Sequence, residues 1–124
     1  MPFGPRATAV VIKQGKVLLV RERGRCQYSL PGGGIHRGEP SISAAARELY
    51  EEVGLSTHKI ERVGTHQSRT RRHFVYVVTD FRGRPRLKSE ICALVWWDGK
   101  SSMAMPNHVN EILKLVHERF PHLW

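Results

Sequence analysis

Residues 33–55 read GGIHRGEPSISAAARELYEEVGL, and the second half of this stretch is the firmest element in the chain. From Ser41 to Val53 it is rich in Ala, Leu and Glu, and Ile42, Ala45, Ala46, Leu49 and Val53 recur at helical spacing. Pro40 suits the start of such a helix and Gly54 suits its C-terminal stop. Glu48, Glu51 and Glu52 stand at i, i+3 and i+4, roughly opposite the apolar stripe, with Cβ atoms about 5–6 Å apart. Three like charges at that spacing repel one another, and a hard divalent cation such as Mg²⁺, which favours oxygen ligands, would relieve the repulsion. A solvated acidic face, with Arg47 and Glu51 as an i, i+4 pair, is the other reading of the same residues. Ahead of the helix, Gly32-Gly33-Gly34 and Gly38 predict a loop whose backbone can approach a ligand closely. No Gly-Lys-Ser/Thr follows, so this is not a P-loop.

Outward from this segment the pattern alternates strands with one more helix. Ala7–Ile12 and Lys16–Arg21 read as a hairpin around Lys13-Gln14-Gly15. The stretch after Leu55 shows no clear period. His73–Thr79 contains Phe74-Val75-Tyr76-Val77-Val78, a strand. Ile91–Trp97 is apolar at every position, which predicts a strand covered on both faces. Asn107–Arg119 carries Val109, Ile112, Leu113 and Val116 on one helical stripe. The expected fold is α/β, a mixed sheet sandwiched between helices.

The chain of 124 residues (14.2 kDa) has the length of one domain, 1–124, with no linker or repeat to divide it. A composition of 40% hydrophobic and 25% charged residues excludes wholesale disorder, collagen-like repeats and a disulfide scaffold. Apolar runs fall far short of the ~20 residues a membrane span needs, and Met1–Arg6 shows no secretory pattern. A cytoplasmic protein with no membrane partner is expected, with Cys26 and Cys92 as free thiols.

Charge is the unusual feature. Twenty Lys+Arg against eleven Asp+Glu give +9, a balance that attracts polyanions. Residues 33–55 carry four Glu and two Arg, so the rest of the chain holds +11. A small acidic patch in a basic surround is what a metal site receiving phosphorylated ligands should produce. Arg69, Arg71 and Arg72 precede the strand at Phe74, and Arg82, Arg84, Arg86 and Lys88 follow it; a substrate rim and a solvated face both fit them. The seven histidines show no metal-ligand spacing and receive no role.

The full register is Gly33, five residues, Glu39, seven residues, then Arg47-Glu48-Leu49-Tyr50-Glu51-Glu52-Val53-Gly54-Leu55. Chance would produce these specified positions at roughly 10⁻⁹ to 10⁻¹⁰ per window. The segment resembles the Nudix hydrolase signature, with every fixed position filled. The resemblance implies a Nudix-like α/β/α sandwich with a central mixed β-sheet. It also implies divalent-metal-dependent hydrolysis of a pyrophosphate bond in a nucleoside diphosphate linked to another moiety. Nucleoside triphosphates, nucleotide sugars, ADP-ribose, dinucleoside polyphosphates and RNA ends are all such compounds.

By the same resemblance, Glu48 and Glu52 would be the principal ligands of Mg²⁺ or Mn²⁺. Glu51 would be a third ligand or water-activating group, and the Gly32 carbonyl a further ligand. Arg47 would orient a glutamate by pairing with Glu39 or Glu51. Gly54 would end the helix and Leu55 would enter the core. Gly33 and Gly34 are expected to approach the substrate, and Arg21, Arg23 or Arg25 to reach a phosphate or ribose. The family's general base is not fixed in one place. Glu90, ahead of the apolar strand, is the expected base or extra metal ligand, against an ordinary polar residue at a strand start. The rival class is a non-catalytic nucleotide- or RNA-binding module on the same fold, motivated by the basic stretches around Phe74 and Tyr76. Such a module should lack a carboxylate of the signature, and none is missing here. A small phosphorylated nucleotide is therefore the favoured partner, with RNA behind it; oligomeric state is left open.

Overall fold

The apolar runs near the N-terminus fold back on each other through Gln14 and Gly15, at φ 53° and 74°. Two successive left-handed residues make the tight turn whose twist suits a hairpin. In the computed structural model, which describes residues 4–124, this hairpin is β1 (Arg6–Lys13) and β2 (Lys16–Glu22). The first half of the Met1–Arg6 stretch read for a leader therefore lies outside the described residues. The chain continues through β3 (Gly32–Gly34), α1 (Ser41–Val53), β4 (Ser56–Gln67), β5 (Arg72–Arg82), β6 (Ile91–Trp97) and α2 (Asn107–Arg119). Among the described residues, no helix is long and apolar enough to cross a membrane.

The sheet runs β4-β5-β1-β2-β6, with β3 added against β1. It is mixed, because β1 and β5 are parallel while the other pairs are antiparallel. Its two faces sort the apolar residues by alternation. Val10, Ile12, Val17, Leu19, Val75 and Val77 pack against Val109, Ile112, Leu113 and Val116 of α2. Ala9, Val11, Leu18, Val20 and Val78 pack against Leu49, Val53 and Leu55 at the end of α1. Each large side chain removed from water in this way contributes about 1.5–3 kcal/mol. The helix–sheet–helix sandwich is the expected one.

One irregularity positions the site. β1 and β2 pair only at Ile12–Val17 and Lys13–Lys16, then splay apart. Residues 29–34 fill the wedge: Ser29 exchanges both backbone hydrogen bonds with Val20, at 2.7 and 2.9 Å. The Ala9 N–H donates to the Pro31 carbonyl at 2.9 Å, and Gly32–Gly34 pair with Arg6–Thr8.

Four expectations change. Gly32–Gly34, read as a loop, forms a short strand, because open edge groups on β1 were available to pair with it. The aperiodic stretch after Leu55 is the 12-residue β4, an edge strand on which only Val63 is buried. Ile91–Trp97 forms β6, yet it lies at the other edge with every residue after Ile91 only half-buried. On α1, Ile42 is exposed and Ala44 takes its place in the core. Both helices otherwise begin and end where their patterns predict. Gly54 closes α1 at φ 78°, and the Leu55 side chain is fully buried.

Candidate functional site

α1 presents its glutamates to the glycine strand. The Gly32 N–H donates to Glu52 Oε1 at 3.0 Å. A Cβ placed on Gly33 would meet the Glu48 carboxylate oxygens at 2.5 and 2.6 Å, so only glycine leaves room for that side chain. Two carboxylates one helical turn apart thus lie against consecutive residues of β3. Burial pushes the Glu52 carboxyl up to about 7, and the nearby Glu48 and Glu22 charges push the same way. The Gly32 N–H and the Arg6 guanidinium oppose the shift without cancelling it.

Arg47 organises the outer side. Its Nε donates to Glu39 at 2.8 Å and its Nη1 to Glu48 and Glu51, each at 3.0 Å. Its Nη2 donates to the Gly34 carbonyl at 3.0 Å and to Glu39 at 3.1 Å. The Arg47 bonds and the His36 N–H hold the Glu39 carboxyl down to about 2. The pairing expected with Glu39 or Glu51 is made with both. Glu51 is half exposed in the Arg47 fork, so it does not converge with Glu52, although the helical spacing alone brings all three together. Among the described residues, no three acidic or histidine side chains stand ready as a cage for an ion.

The donors nevertheless fit a hard cation. Glu52 is a half-buried carboxylate without a salt-bridge partner among the described residues, and a divalent ion would restore its charged form. Glu48 lies alongside, against Gly33 of the same strand β3.

On the α2 side of the wedge lies a cavity of about 510 Å³. Its walls include Arg6, Thr8, Glu22, Leu30, His73 and His108. Arg6 links the cavity to the carboxylates: its charge acts on Glu52 and its Nη2 donates to the Leu30 carbonyl at 3.0 Å. His73 bonds Thr8 through Nδ1 at 3.1 Å and stacks on His108 with ring centroids 5.0 Å apart. Burial, reinforced by nearby His108 and Arg6, brings His73 down to about 3, and burial also lowers His108. Both rings are neutral at pH 7, giving the cavity a flat, uncharged wall.

The sequence does not single out Glu22, Arg6, His73 or His108 for this site. They come from separate elements, and only strand register and the packing of α2 bring them together. Glu90, by contrast, is exposed and pairs with Arg23 at 3.7 Å. The Arg21 guanidinium sits 6.0 Å from the Tyr28 ring and donates to the Arg25 carbonyl at 3.0 Å. Arg21, Arg23 and Glu90 do not line the cavity, whereas Arg25 does.

A family model described as NUDIX domain matches residues 2–117. The chain belongs to the Nudix family. An RNA pyrophosphohydrolase from Francisella philomiragia subsp. philomiragia is 35% identical over 86 residues, covering 67% of this chain and 53% of that protein. The chain spans about half the length of the curated relatives it matches. Among solved structures, a Nudix hydrolase family member from Chromobacterium violaceum superposes at a TM-score of 0.81 with 29% identity, covering 92% of this chain and 76% of that one. The MutT Nudix hydrolase from Burkholderia pseudomallei reaches the same score at 22% identity over 91% and 98% of the two chains, a likeness of fold alone. In this Nudix domain the signature residues are those that α1 and β3 bring face to face.

Proposed function

We propose that this Nudix domain hydrolyses a pyrophosphate bond in a phosphorylated nucleotide, with Glu48 and Glu52 as ligands of Mg²⁺ or Mn²⁺. The observation that carries this is the half-buried Glu52 carboxylate, held by the Gly32 N–H with its pKa raised by desolvation, while Arg6, whose charge acts on it, lines a cavity large enough for a nucleotide-sized group. When bound, the ion would neutralise phosphate charge and lower the pKa of a coordinated water.

The chain's own residues do the positioning. Gly33 leaves the space that Glu48 occupies, and Arg47 fixes Glu48 and Glu51 relative to the helix. The Gly32 carbonyl would complete the proposed ligand set, and Glu51, drawn outward by Arg47, is the alternative water-activating group. Glu90 is set aside as base because it is exposed and paired with Arg23. Glu22, which lines the cavity, replaces it as the candidate proton acceptor outside the helix.

A pyrophosphate group on RNA is the finer substrate reading, supported by the name of the Francisella relatives. The test is a panel of nucleoside triphosphates, nucleotide sugars, dinucleoside polyphosphates and triphosphorylated RNA, incubated with Mg²⁺ in ¹⁸O-water and read by mass. Label in one phosphate product, and at least a hundredfold loss in Glu52→Gln, are expected. Wild-type turnover in that variant would remove the site from the reaction.

A further inference from the structure

The cavity accommodates about one nucleotide-sized group, yet two of the loops that line it carry cations that a ligand of that size would not need. On one side residues 24–27 line the cavity, and on the other Ser68, Thr70 and Arg71 do. The segments 23–27 and 67–72 contain five arginines and no carboxylate. Arg23 is offset by Glu90, which leaves Arg25, Arg69 and Arg72 exposed and Arg71 half-buried.

Both walls are held in shape before any ligand arrives. In the turn between β4 and β5, the Ser68 N–H donates to the Arg71 carbonyl at 2.8 Å, and Gln67 Nε2 donates to the Ser68 and Arg71 carbonyls at 3.0 Å each. Arg71 Nε is anchored on the Gly4 carbonyl at 3.0 Å. In the opposite loop, the Arg25 N–H donates to the Glu22 carbonyl, and the Arg25 carbonyl accepts from Arg21, both at 3.0 Å. The anchored Arg71 guanidinium loses little conformational freedom when it binds an anion, while Arg25 is held through its backbone only.

We propose that the loops 23–27 and 67–72 clamp the phosphodiester backbone of a single-stranded polynucleotide whose terminal nucleotide occupies the cavity. The identity of that terminus rests on the proposed pyrophosphate hydrolysis; the clamp does not. Arg6, which lines the cavity and pairs through its backbone with Gly34 of β3, marks the reacting end of the cavity. The phosphates that follow the terminal nucleotide would leave past Arg25 on one side and Arg69 and Arg71 on the other.

The test is binding of 5′-hydroxyl oligoribonucleotides, from a mononucleotide to an octanucleotide, to the full chain without metal, by fluorescence anisotropy across a salt series. Affinity should rise with length and then level off. The Arg25→Ser/Arg69→Ser double variant should reduce the log–log salt slope for the octanucleotide by about 1.4, the equivalent of two phosphate contacts on a single strand. The Arg84→Ser/Lys100→Ser control, which removes two exposed charges elsewhere, should leave that slope unchanged. A deoxyribose octanucleotide should bind alike, since phosphates are what the clamp holds. Equal affinity for a dinucleotide and an octanucleotide, or equal slope losses in both double variants, would overturn the clamp. If length-dependent binding holds and the wild type cleaves no pyrophosphate, the proposed reaction fails and the clamp stands.

Discussion

Replacing Gly33 with alanine should separate catalysis from folding. The new Cβ would lie 2.5 and 2.6 Å from the Glu48 carboxylate oxygens, whereas ordinary contact begins near 3.4 Å. The carboxylate must therefore retreat by about 1 Å, a misplacement able to cost about a hundredfold in rate. Stability should change by less than about 1 kcal/mol. The Arg47–Glu48 pair is worth at most about 1 kcal/mol, and alanine at a backbone angle open to any residue returns about 0.4–1 kcal/mol through the unfolded chain. The neighbouring Gly32 supplies the contrast. It sits at φ 155°, and its added Cβ would strike the Ala7 carbonyl oxygen and come within 3.0 Å of the Thr8 Cα, both backbone atoms that cannot swing away. Gly32→Ala should destabilise by about 3 kcal/mol or more. Urea unfolding and pyrophosphate-release rates on both variants give the comparison. If Gly33→Ala keeps wild-type turnover, or unfolds as readily as Gly32→Ala, the packing of Glu48 on β3 does not support catalysis as described.

Arg47→Lys keeps the charge and loses the planar fork that reaches Glu39, Glu48, Glu51 and Gly34 together. Turnover should fall at least about tenfold with a stability change under about 2 kcal/mol; an unchanged rate would make the network ornamental. The pH dependence of the metal-free protein has two opposing parts. His73, at about 3 in the fold against a usual 6.5, contributes stability above pH 6.5 that is lost as pH falls, at up to about 1.4 kcal/mol per unit. Glu52, at about 7 against a usual 4.5, contributes stability that is complete below pH 4.5 and is lost as pH rises through 7. Between pH 4.5 and 6.5 the two slopes oppose each other. Relative to wild type, Glu52→Gln should therefore lose stability as pH falls through that window and His73→Phe should gain it. Urea midpoints measured across the window check both, and parallel profiles for all three proteins would contradict the burial of these groups.

The helices were legible because each carries its own period and its own stop. Val109, Ile112, Leu113 and Val116 form a stripe that needs no partner to be recognised, and all four are buried. β4 was not legible, because an edge strand buries little: Ser56–Gln67 is polar at most positions and is held by its ladder to β5, with bulges at Lys59 and Gly64. Gly32–Gly34 has no side chains to show a strand pattern, so its pairing depends on the edge that β1 offers. At the site, α1 displays Glu48 and Glu52 in sequence, while Glu51 shares their helical face and is drawn outward by Arg47. The cavity could not be read at all. Thr8, Glu22, His73 and His108 lie far apart in the chain and meet only through the splay of β1 from β2 and the packing of α2.

Manganese binding, followed by electron paramagnetic resonance with imidodiphosphate as an uncleaved stand-in for the substrate, tests the pairing of Glu48 and Glu52 on one cation most directly. The wild type should take up the ion, and Glu48→Gln and Glu52→Gln should each weaken binding at least about tenfold. Glu61→Gln, an exposed carboxylate on β4, should bind as the wild type does. Equal manganese affinity in all four proteins would show that these two carboxylates do not hold the metal.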